Sequence, residues 1–248
     1  MLSIRKELAA VAALLLFLAA LTAVYAHTEN KVAASAPAPE LPDDRMTLIL
    51  DPGHGGTDGG AVSFSGSRES ALNLEIALRA EQIAAFTGIR CALTRYSEEI
   101  DYPPSADTIH DRKVFDTQRR VELINGTDRA VVVSIHQNQY PSENVTGAQV
   151  LYAPTEMSDA FAADIQSALA EKLGTGANRT AAEIGEDIYI MNNISCPAVL
   201  VECGFISSPQ EELLLKEPKY QIKLSLAMIS TYLQNEKRFI SYYSGEIT

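Results

Sequence analysis

The sequence predicts an α/β fold, a three-layer sandwich in which a largely parallel, six-stranded sheet is flanked by helices. Short apolar runs rich in Val, Ile and Leu, as in buried strands, alternate with longer runs whose apolar residues recur at helical spacing. Such alternation is typical of sheets that carry helices on both faces. The six expected strands are Met46–Asp51, Ile89–Thr94, Ala130–His136, Thr146–Tyr152, Asp187–Met191 and Pro197–Glu202.

The runs with helical spacing predict four helices. The polar, proline-containing stretch Ser97–Phe115 predicts a long loop before the second of them. The helices are expected at about Arg68–Phe86, Thr117–Asn125, Asp159–Leu173 and Tyr220–Asn235. In the last helix, the expected buried stripe consists of Ile222, Leu226, Ile229 and Leu233.

The N-terminal residues have the features of an export signal. Arg5 and Lys6 precede an uncharged apolar run, residues 8–26, which ends in the small-x-small sequence Val-Tyr-Ala. The run is also nearly long enough to span a bilayer, so residues 1–26 are expected to be a signal peptide or an N-terminal membrane anchor. Either way, the rest of the chain is expected to be exported. The other expected divisions are a Pro/Ala-rich linker at 27–45, one folded domain at 46–235 and a short tail at 236–248.

The composition argues against one class of partner and one class of scaffold. With a formal net charge of −12, the chain lacks the basic surface that nucleic-acid-binding proteins use. Its three cysteines are odd in number and have no CxxC spacing, which argues against a disulfide framework. They are expected to be buried as small apolar residues, and they are Cys91, Cys196 and Cys203.

Two histidines and a glutamate lie where apolar strands end. His54 follows the first strand, His136 ends the third, and Glu202 follows Val-Leu-Val in the last. Because the carboxyl ends of parallel strands meet at one edge of a sheet, these side chains are expected to lie close together. An ionised carboxylate is costly to bury alone, so Glu202 implies a nearby cation or set of hydrogen-bond donors.

A second glutamate is placed to join this group. Glu69 begins the first helix, where it either complements the helix N-terminus or reaches a metal held by His54. Two histidines and one carboxylate, with a fourth position open for water, form a catalytic zinc set. The remaining carboxylate would then serve as general base and later as general acid. Imidazole ligands suit Mg²⁺ and Ca²⁺ poorly.

The glycine-rich loop that carries His54 is not expected to bind a nucleotide. A GxGxxG motif starting at Gly53 would need glycine at position 58, where the chain has Asp58, and no GK[ST] sequence is present. The glycines instead allow the backbone to approach a bound group closely.

Four motifs, taken together and in this order, resemble those of the zinc-dependent N-acetylmuramoyl-L-alanine amidases. The resemblance covers about Met46 to Asn235. The motifs are Leu-Ile-Leu-Asp51-Pro-Gly-His54-Gly-Gly, Glu69-Ser-Ala-Leu-Asn73-Leu, Ser134-Ile-His136-Gln-Asn138 and Leu-Val-Glu202-Cys-Gly-Phe205.

The resemblance implies a mixed-sheet α/β sandwich and a role for each motif residue. His54, Glu69 and His136 would be the zinc ligands. Glu202 would be the catalytic carboxylate, and Asn138 would bind the substrate. The implied substrate is peptidoglycan, and the implied reaction cuts the amide between the lactyl group of N-acetylmuramic acid and L-alanine of the stem peptide. Some relatives insert a helix that blocks the zinc, but the short polar stretch between Arg95 and Thr117 predicts no such plug here.

The chain also resembles the amidases of the spore cortex, which strip the stem peptide so that muramic-δ-lactam can form. It has a single catalytic domain without wall-binding repeats and the run Asp187–Asn193 before the last strand. General wall turnover, cell separation, a peptidoglycan-binding protein inactive without a partner, and another zinc hydrolase of the wall, such as a deacetylase or peptidase, are the alternatives. An activating accessory protein, a membrane tether through residues 8–26 and a location outside the membrane or in the wall are further expectations.

Overall fold

The computed structural model describes residues 45–246, which form a sheet with helices on both faces. The strand order is β2-β1-β3-β6-β4-β5, and every neighbouring pair is parallel except β4 and β6. The predicted mixed, largely parallel six-stranded sheet is confirmed. The strands are β1 (Thr47–Pro52), β2 (Cys91–Leu93), β3 (Ala130–Asn138), β4 (Gln149–Tyr152), β5 (Ala182–Glu183) and β6 (Ala198–Phe205). The expected signal or anchor segment and nearly all of the linker lie outside the described residues.

Six helices flank this sheet in the described part of the chain. They are α1 (Glu69–Phe86), α2 (Ile109–Asn125), α3 (Ser158–Leu173), α4 (Tyr189–Asn192), α5 (Pro209–Leu215) and α6 (Pro218–Tyr243). The apolar residues of α1, α3 and α6 share one core with the sheet, whereas α2 and α4 contribute to a separate core on the other face. Among residues 45–246, none of the helices has the length and hydropathy needed to cross a bilayer.

Strand alternation decides which side chains reach the site. In β1, Leu48 and Leu50 enter the core shared with α1, whereas Ile49 enters the core shared with α2. The same alternation in β3 and β6 turns His136 and Glu202 towards the α2 face, near the carboxyl ends of their strands. His136 and Glu202 lie opposite each other in the parallel pairing of β3 with β6.

The last helix differs most from its prediction. Residues 236–248 were expected to form a tail, but α6 continues to Tyr243, and Phe239 within it is fully buried. The expected buried stripe is also wrong, because only Ile229 of its four members is buried. Apolar residues recur at helical spacing on both faces of α6, and the buried face also contains polar residues with internal partners, so apolar spacing alone did not distinguish the two faces. Gln221, for example, accepts a hydrogen bond from Arg79 of α1 at 2.6 Å.

Two other expected elements are corrected. The stretch predicted as a long loop becomes helical at Ile109, where Thr108 and Asp111 form a reciprocal capping box. The predicted strand Asp187–Met191 is instead a turn that leads into α4, and the sixth strand is the two-residue β5. The prediction for the cysteines is confirmed in part, because all three are free thiols but Cys91 is only half-buried.

Candidate metal centre and adjoining cleft

Three of the predicted site residues converge on one point. His54 lies in the loop after β1 with a left-handed backbone (φ 61°), His136 lies in β3, and Glu69 is the first residue of α1. One carboxylate oxygen of Glu69 is 3.3 Å from His54 Nε2, and the other is 3.0 Å from His136 Nδ1. One potential ligand atom from each residue lies within 4.8 Å of the other two. Side chains from three separate elements therefore form a compact donor set.

The carboxylate of Glu69 is held by its surroundings as well as by the histidines. Oε1 accepts hydrogen bonds from the backbone N–H of Gln137 at 3.0 Å and from Asn73 Nδ2 at 3.3 Å. Oε2 accepts a hydrogen bond from the N–H of Ala61 at 2.8 Å. Burial would raise the pKa of Glu69, but the hydrogen bonds with His136 and His54 outweigh it and hold that pKa well below its usual range. Glu69 is thus a fixed, ionised carboxylate.

Asp58 orients His54 from its other side. Its Oδ2 lies 3.1 Å from His54 Nδ1 and 3.3 Å from Lys113 Nζ of α2. Burial lowers the pKa of His54, but hydrogen bonds to Asp58 and Glu69 more than reverse this and raise it to about 9. An acidic partner on the second ring nitrogen is the usual support of a metal-binding histidine. The sequence pattern missed this role, although an acid four residues after a loop histidine is a readable signal.

The donor set fits a divalent cation that prefers nitrogen and oxygen ligands. Two imidazoles and one ionised carboxylate match the chemistry of zinc sites with an open position. The side chains of His136 and Glu69 fit here only because Gly53 and Gly60, which lie against them, have no Cβ. A Cβ at Gly53 would lie 2.2 Å from the His136 ring, and one at Gly60 would lie 2.5 Å from Glu69 Oε2.

Glu202 lies beside this group without joining it. Its Oε2 atom is buried and has no hydrogen-bond partner among residues 45–246. Burial raises the pKa of Glu202 to about 7, with repulsion from Glu69 opposing the attraction of His136 and His54. Gln149 of β4 faces Glu202 across the antiparallel pair and accepts a hydrogen bond from Arg179 at 2.9 Å. A carboxylate with one free oxygen and a pKa near neutrality is suited to accept and return a proton.

Two buried arginines support the glycine-rich loop, and the sequence pattern identified neither. Arg120 donates hydrogen bonds to the carbonyl oxygens of Pro52, at 2.8 Å, and His54. Arg95 donates to the carbonyl oxygens of Pro52 and Gly53 at 3.0 and 3.1 Å. Asp51 is fully buried and lies 2.9 Å from Arg120, and this attraction, against the effect of burial, lowers the pKa of Asp51. The loop that carries His54 is therefore held by charged hydrogen bonds.

An open cleft adjoins the donor set on the α2 face of the sheet. It encloses about 160 Å³, and the side chains of His54 and His136 on its floor are 21% and 20% exposed. Its walls include Tyr102, Lys113 and Thr117 on one side and Ile188, Tyr189 and Met191 on the other.

The stretch between Arg95 and Thr117, which is predicted to contain no helix that blocks the zinc, lies along the glycine-rich loop. The carbonyl oxygen of Glu98 accepts a hydrogen bond from Gly56 N–H, and Tyr102 Oη accepts one from Thr57 N–H. Asn138, expected to bind substrate, lies beyond an irregularity in the β3–β6 register and is not among the residues that line the cleft.

Comparison with known proteins finds a family that matches most of the chain. The Amidase_3 family, described as N-acetylmuramoyl-L-alanine amidase, matches residues 48–231. The germination-specific N-acetylmuramoyl-L-alanine amidase of Bacillus subtilis (strain 168) is 36% identical over 195 residues, which cover 78% of this chain and 81% of that protein. The amidase LytC of the same strain is 31% identical over 187 residues, which are 73% of this chain and 34% of LytC.

A solved structure shows the same fold. The CwlD amidase of Clostridioides difficile, in complex with the GerS lipoprotein, superposes with a TM-score of 0.72 at 29% identity and covers 78% of this chain and 99% of CwlD. The matched family is generally metal-dependent, in keeping with the donor set described above. The chain belongs to the Amidase_3 family and is an N-acetylmuramoyl-L-alanine amidase that acts on peptidoglycan.

Proposed function

We propose that His54, Glu69 and His136 hold a zinc ion and that Glu202 is the general base and general acid of the amidase reaction. The observation that carries this proposal is the placement of Glu202 in register with His136, with a free buried oxygen beside three converging ligand atoms. Zinc at this position would act as a Lewis acid on the lactyl carbonyl and would lower the pKa of a water molecule.

The protein's own groups supply the remaining steps. Glu202 Oε2 accepts the proton of the attacking water and returns it to the nitrogen of the leaving L-alanine. Asp58 and the carbonyl contact of Arg120 keep His54 in place during these transfers. The cleft between α2 and α4 receives the stem peptide. Asn138, the last residue of β3, contacts another part of the substrate.

Paired variants test these roles. Glu202→Gln keeps the size of the side chain but cannot take up the proton, so activity should fall while the zinc content stays at one per chain. His136→Ala should lose both zinc and activity. If Glu202→Gln kept full activity, the assignment of Glu202 as general base would be wrong. Zinc content measured by atomic absorption separates the two variants.

We further propose a role in modification of the spore cortex. The relative that matches over 81% of its length is named as germination-specific, and CwlD is similar over nearly its whole length. Removal of stem peptides would prepare muramic acid for δ-lactam formation. Deletion of the gene that encodes this chain should therefore remove muramic-δ-lactam from the spore peptidoglycan of the host, as measured by muropeptide analysis. Normal δ-lactam levels would favour general wall turnover, the role that similarity to LytC suggests.

An accessory protein and an extracellular location complete the proposal. The CwlD structure contains the GerS lipoprotein, and by analogy this chain would bind a lipoprotein partner. Residues 1–26 would direct the chain across the membrane, with residues 8–26 as a tether if they are not removed. Fractionation of the host and N-terminal sequencing of the mature chain test both points.

A further inference from the structure

The loop between Ala61 and Glu69 presents an aromatic side chain beside the metal centre. Phe64 is 95% exposed, and Val62 of the same loop is 53% exposed. Single exposed apolar residues are ordinary on protein surfaces, so exposure alone does not indicate function. Phe64 is unusual because the loop that carries it is fixed in place and ends at a residue of the donor set.

Three serines fix this loop to α5. The hydroxyls of Ser63 and Ser67 donate to Glu212 Oε1 at 2.7 and 2.8 Å, and the hydroxyl of Ser65 donates to the same oxygen. Glu212 is only 5% exposed, so water competes little for these hydrogen bonds. Because the three hydroxyls converge on one atom, the side chain of Phe64 between them is left facing solvent.

The base of the loop is tied directly to Glu69. Ala61 N–H donates to Glu69 Oε2 at 2.8 Å, and the carbonyl oxygen of Ala61 accepts from Glu69 N–H at 2.9 Å. Phe64 is the third residue after Ala61, so the tip of the loop lies within about 10 Å of this base. Its anchor, α5, contributes Leu215 to the core on the face opposite the cleft. The loop therefore borders the donor set on a different side from the walls of the cleft.

The substrate places a sugar near this loop. Since the cleaved amide belongs to a lactyl group attached directly to the muramic acid ring, that ring must lie beside the metal centre, and the neighbouring sugars of the strand extend away from it. This step rests on the proposed site. With the cleft available for the peptide, the loop is a rigid surface with exposed apolar side chains next to the donor set, where the glycan could meet it.

We propose that Val62 and Phe64 form a docking surface for the glycan strand, in which Phe64 stacks on a hexose next to the muramic acid being processed. The faces of a hexose ring carry C–H groups that are attracted to the negative face of an aromatic ring. A pinned loop adds little ordering cost on binding, because its conformation is already set by Glu212. The surface would select polymeric substrate over isolated muramoyl peptides.

A binding measurement tests this surface without relying on activity. The full chain is titrated with peptide-free glycan strands of alternating N-acetylglucosamine and N-acetylmuramic acid. Phe64→Ala should weaken binding roughly tenfold, and Phe64→Trp should retain it. Phe86→Ala is the matched control, because Phe86 is 93% exposed and lies at the far end of α1, about 26 Å along the helix from Glu69. The control should bind as the unaltered chain does.

Kinetics on two substrates complete the test. On polymeric peptidoglycan, Phe64→Ala should raise KM roughly tenfold with little change in kcat, whereas on N-acetylmuramoyl-L-alanyl-D-isoglutamine both constants should be unchanged. Unchanged glycan binding, an equal loss on both substrates, or the same loss in Phe86→Ala would overturn the proposal. If the unaltered chain cleaved neither substrate but bound glycan in a Phe64-dependent manner, the proposed catalytic site would fail and the glycan surface would stand.

Discussion

Arg120 and Asp51 form an ion pair buried beneath the loop that carries His54. Arg120 Nη1 lies 2.9 Å from Asp51 Oδ1, and the two side chains are 1% and 0% exposed. The same guanidinium donates to the carbonyl oxygen of His54. The buried cation of Arg120 therefore supports both the end of β1 and the position of a proposed zinc ligand.

Removing that cation should destabilise the fold strongly. Arg120→Leu leaves the charge of Asp51 buried without its partner, which should lower the free energy of unfolding by about 3–5 kcal/mol. Urea unfolding of the metal-free protein measures the loss. The control is Arg238→Leu. Arg238 pairs with Asp164, and because both side chains are 47% exposed, this ion pair should contribute less than about 1 kcal/mol to the free energy of unfolding. Equal losses in the two variants would contradict a special role for Arg120.

Metal binding should release a proton at neutral pH. Because the pKa of His54 is raised to about 9, the ring is protonated in the metal-free protein, and a cation must displace that proton. Apparent zinc affinity should therefore increase with pH up to about 9. Titration calorimetry in buffers of different ionisation enthalpy counts the protons. Asp58→Asn removes a cause of the raised pKa and should reduce the number released near pH 7.5.

The same raised pKa predicts how metal-free stability depends on pH. Folding favours the protonated form of His54, so its contribution is fully present below the unfolded pKa of about 6.5 and is lost as pH rises through about 9. Urea unfolding at several pH values should show this decline in the metal-free protein. A His54→Gln variant that declined equally over the same range would show that another group is responsible.

Zinc should stabilise the folded chain, and the effect should depend on the donor set. At a free zinc concentration 100-fold above Kd, the free energy of unfolding should increase by about 2.7 kcal/mol. Chelation should reverse the increase, and His136→Ala should show none. A similar increase in His136→Ala would place the zinc elsewhere on the protein.

Glu212 should make the fold sensitive to acid. Against the effect of burial, hydrogen bonds from the three serines lower its pKa to about 2, so its contribution is present above the usual pKa of 4.5 and is lost as pH falls through 2. Between pH 5 and pH 3 the unaltered chain should lose roughly 2 kcal/mol more than Glu212→Gln. If urea unfolding showed the same loss of unfolding free energy in the unaltered chain and in Glu212→Gln, the serines would not hold an ionised carboxylate.

The strand ends were predictable because two rules act together at them. Apolar runs locate the strands, and the carboxyl ends of parallel strands meet, so His54, His136 and Glu202 could be expected to lie together. Asp58 and Arg120 were not predicted, because the importance of each depends on a partner brought close only by the fold. Arg120, for example, is 69 residues from Asp51 in sequence.

The last helix shows where periodicity fails. Ile222 and Leu226 have the spacing of a buried stripe, yet they are 41% and 46% exposed. The buried face instead includes Gln221 and Ser225, whose hydrogen bonds to α1 offset the cost of burying polar groups. A hydrophobicity pattern cannot anticipate such partners, since they belong to another helix.

Mass spectrometry of peptidoglycan digested by the zinc-loaded full chain tests the central claim most directly. The unaltered chain should release stem peptides with a free N-terminal alanine and leave glycan with intact lactyl groups. Glu202→Gln, at the same zinc content, should release at least a hundredfold less. Equal release by Glu202→Gln, or products cut at another bond, would contradict the assignment of Glu202 as the residue that moves the proton in this amidase.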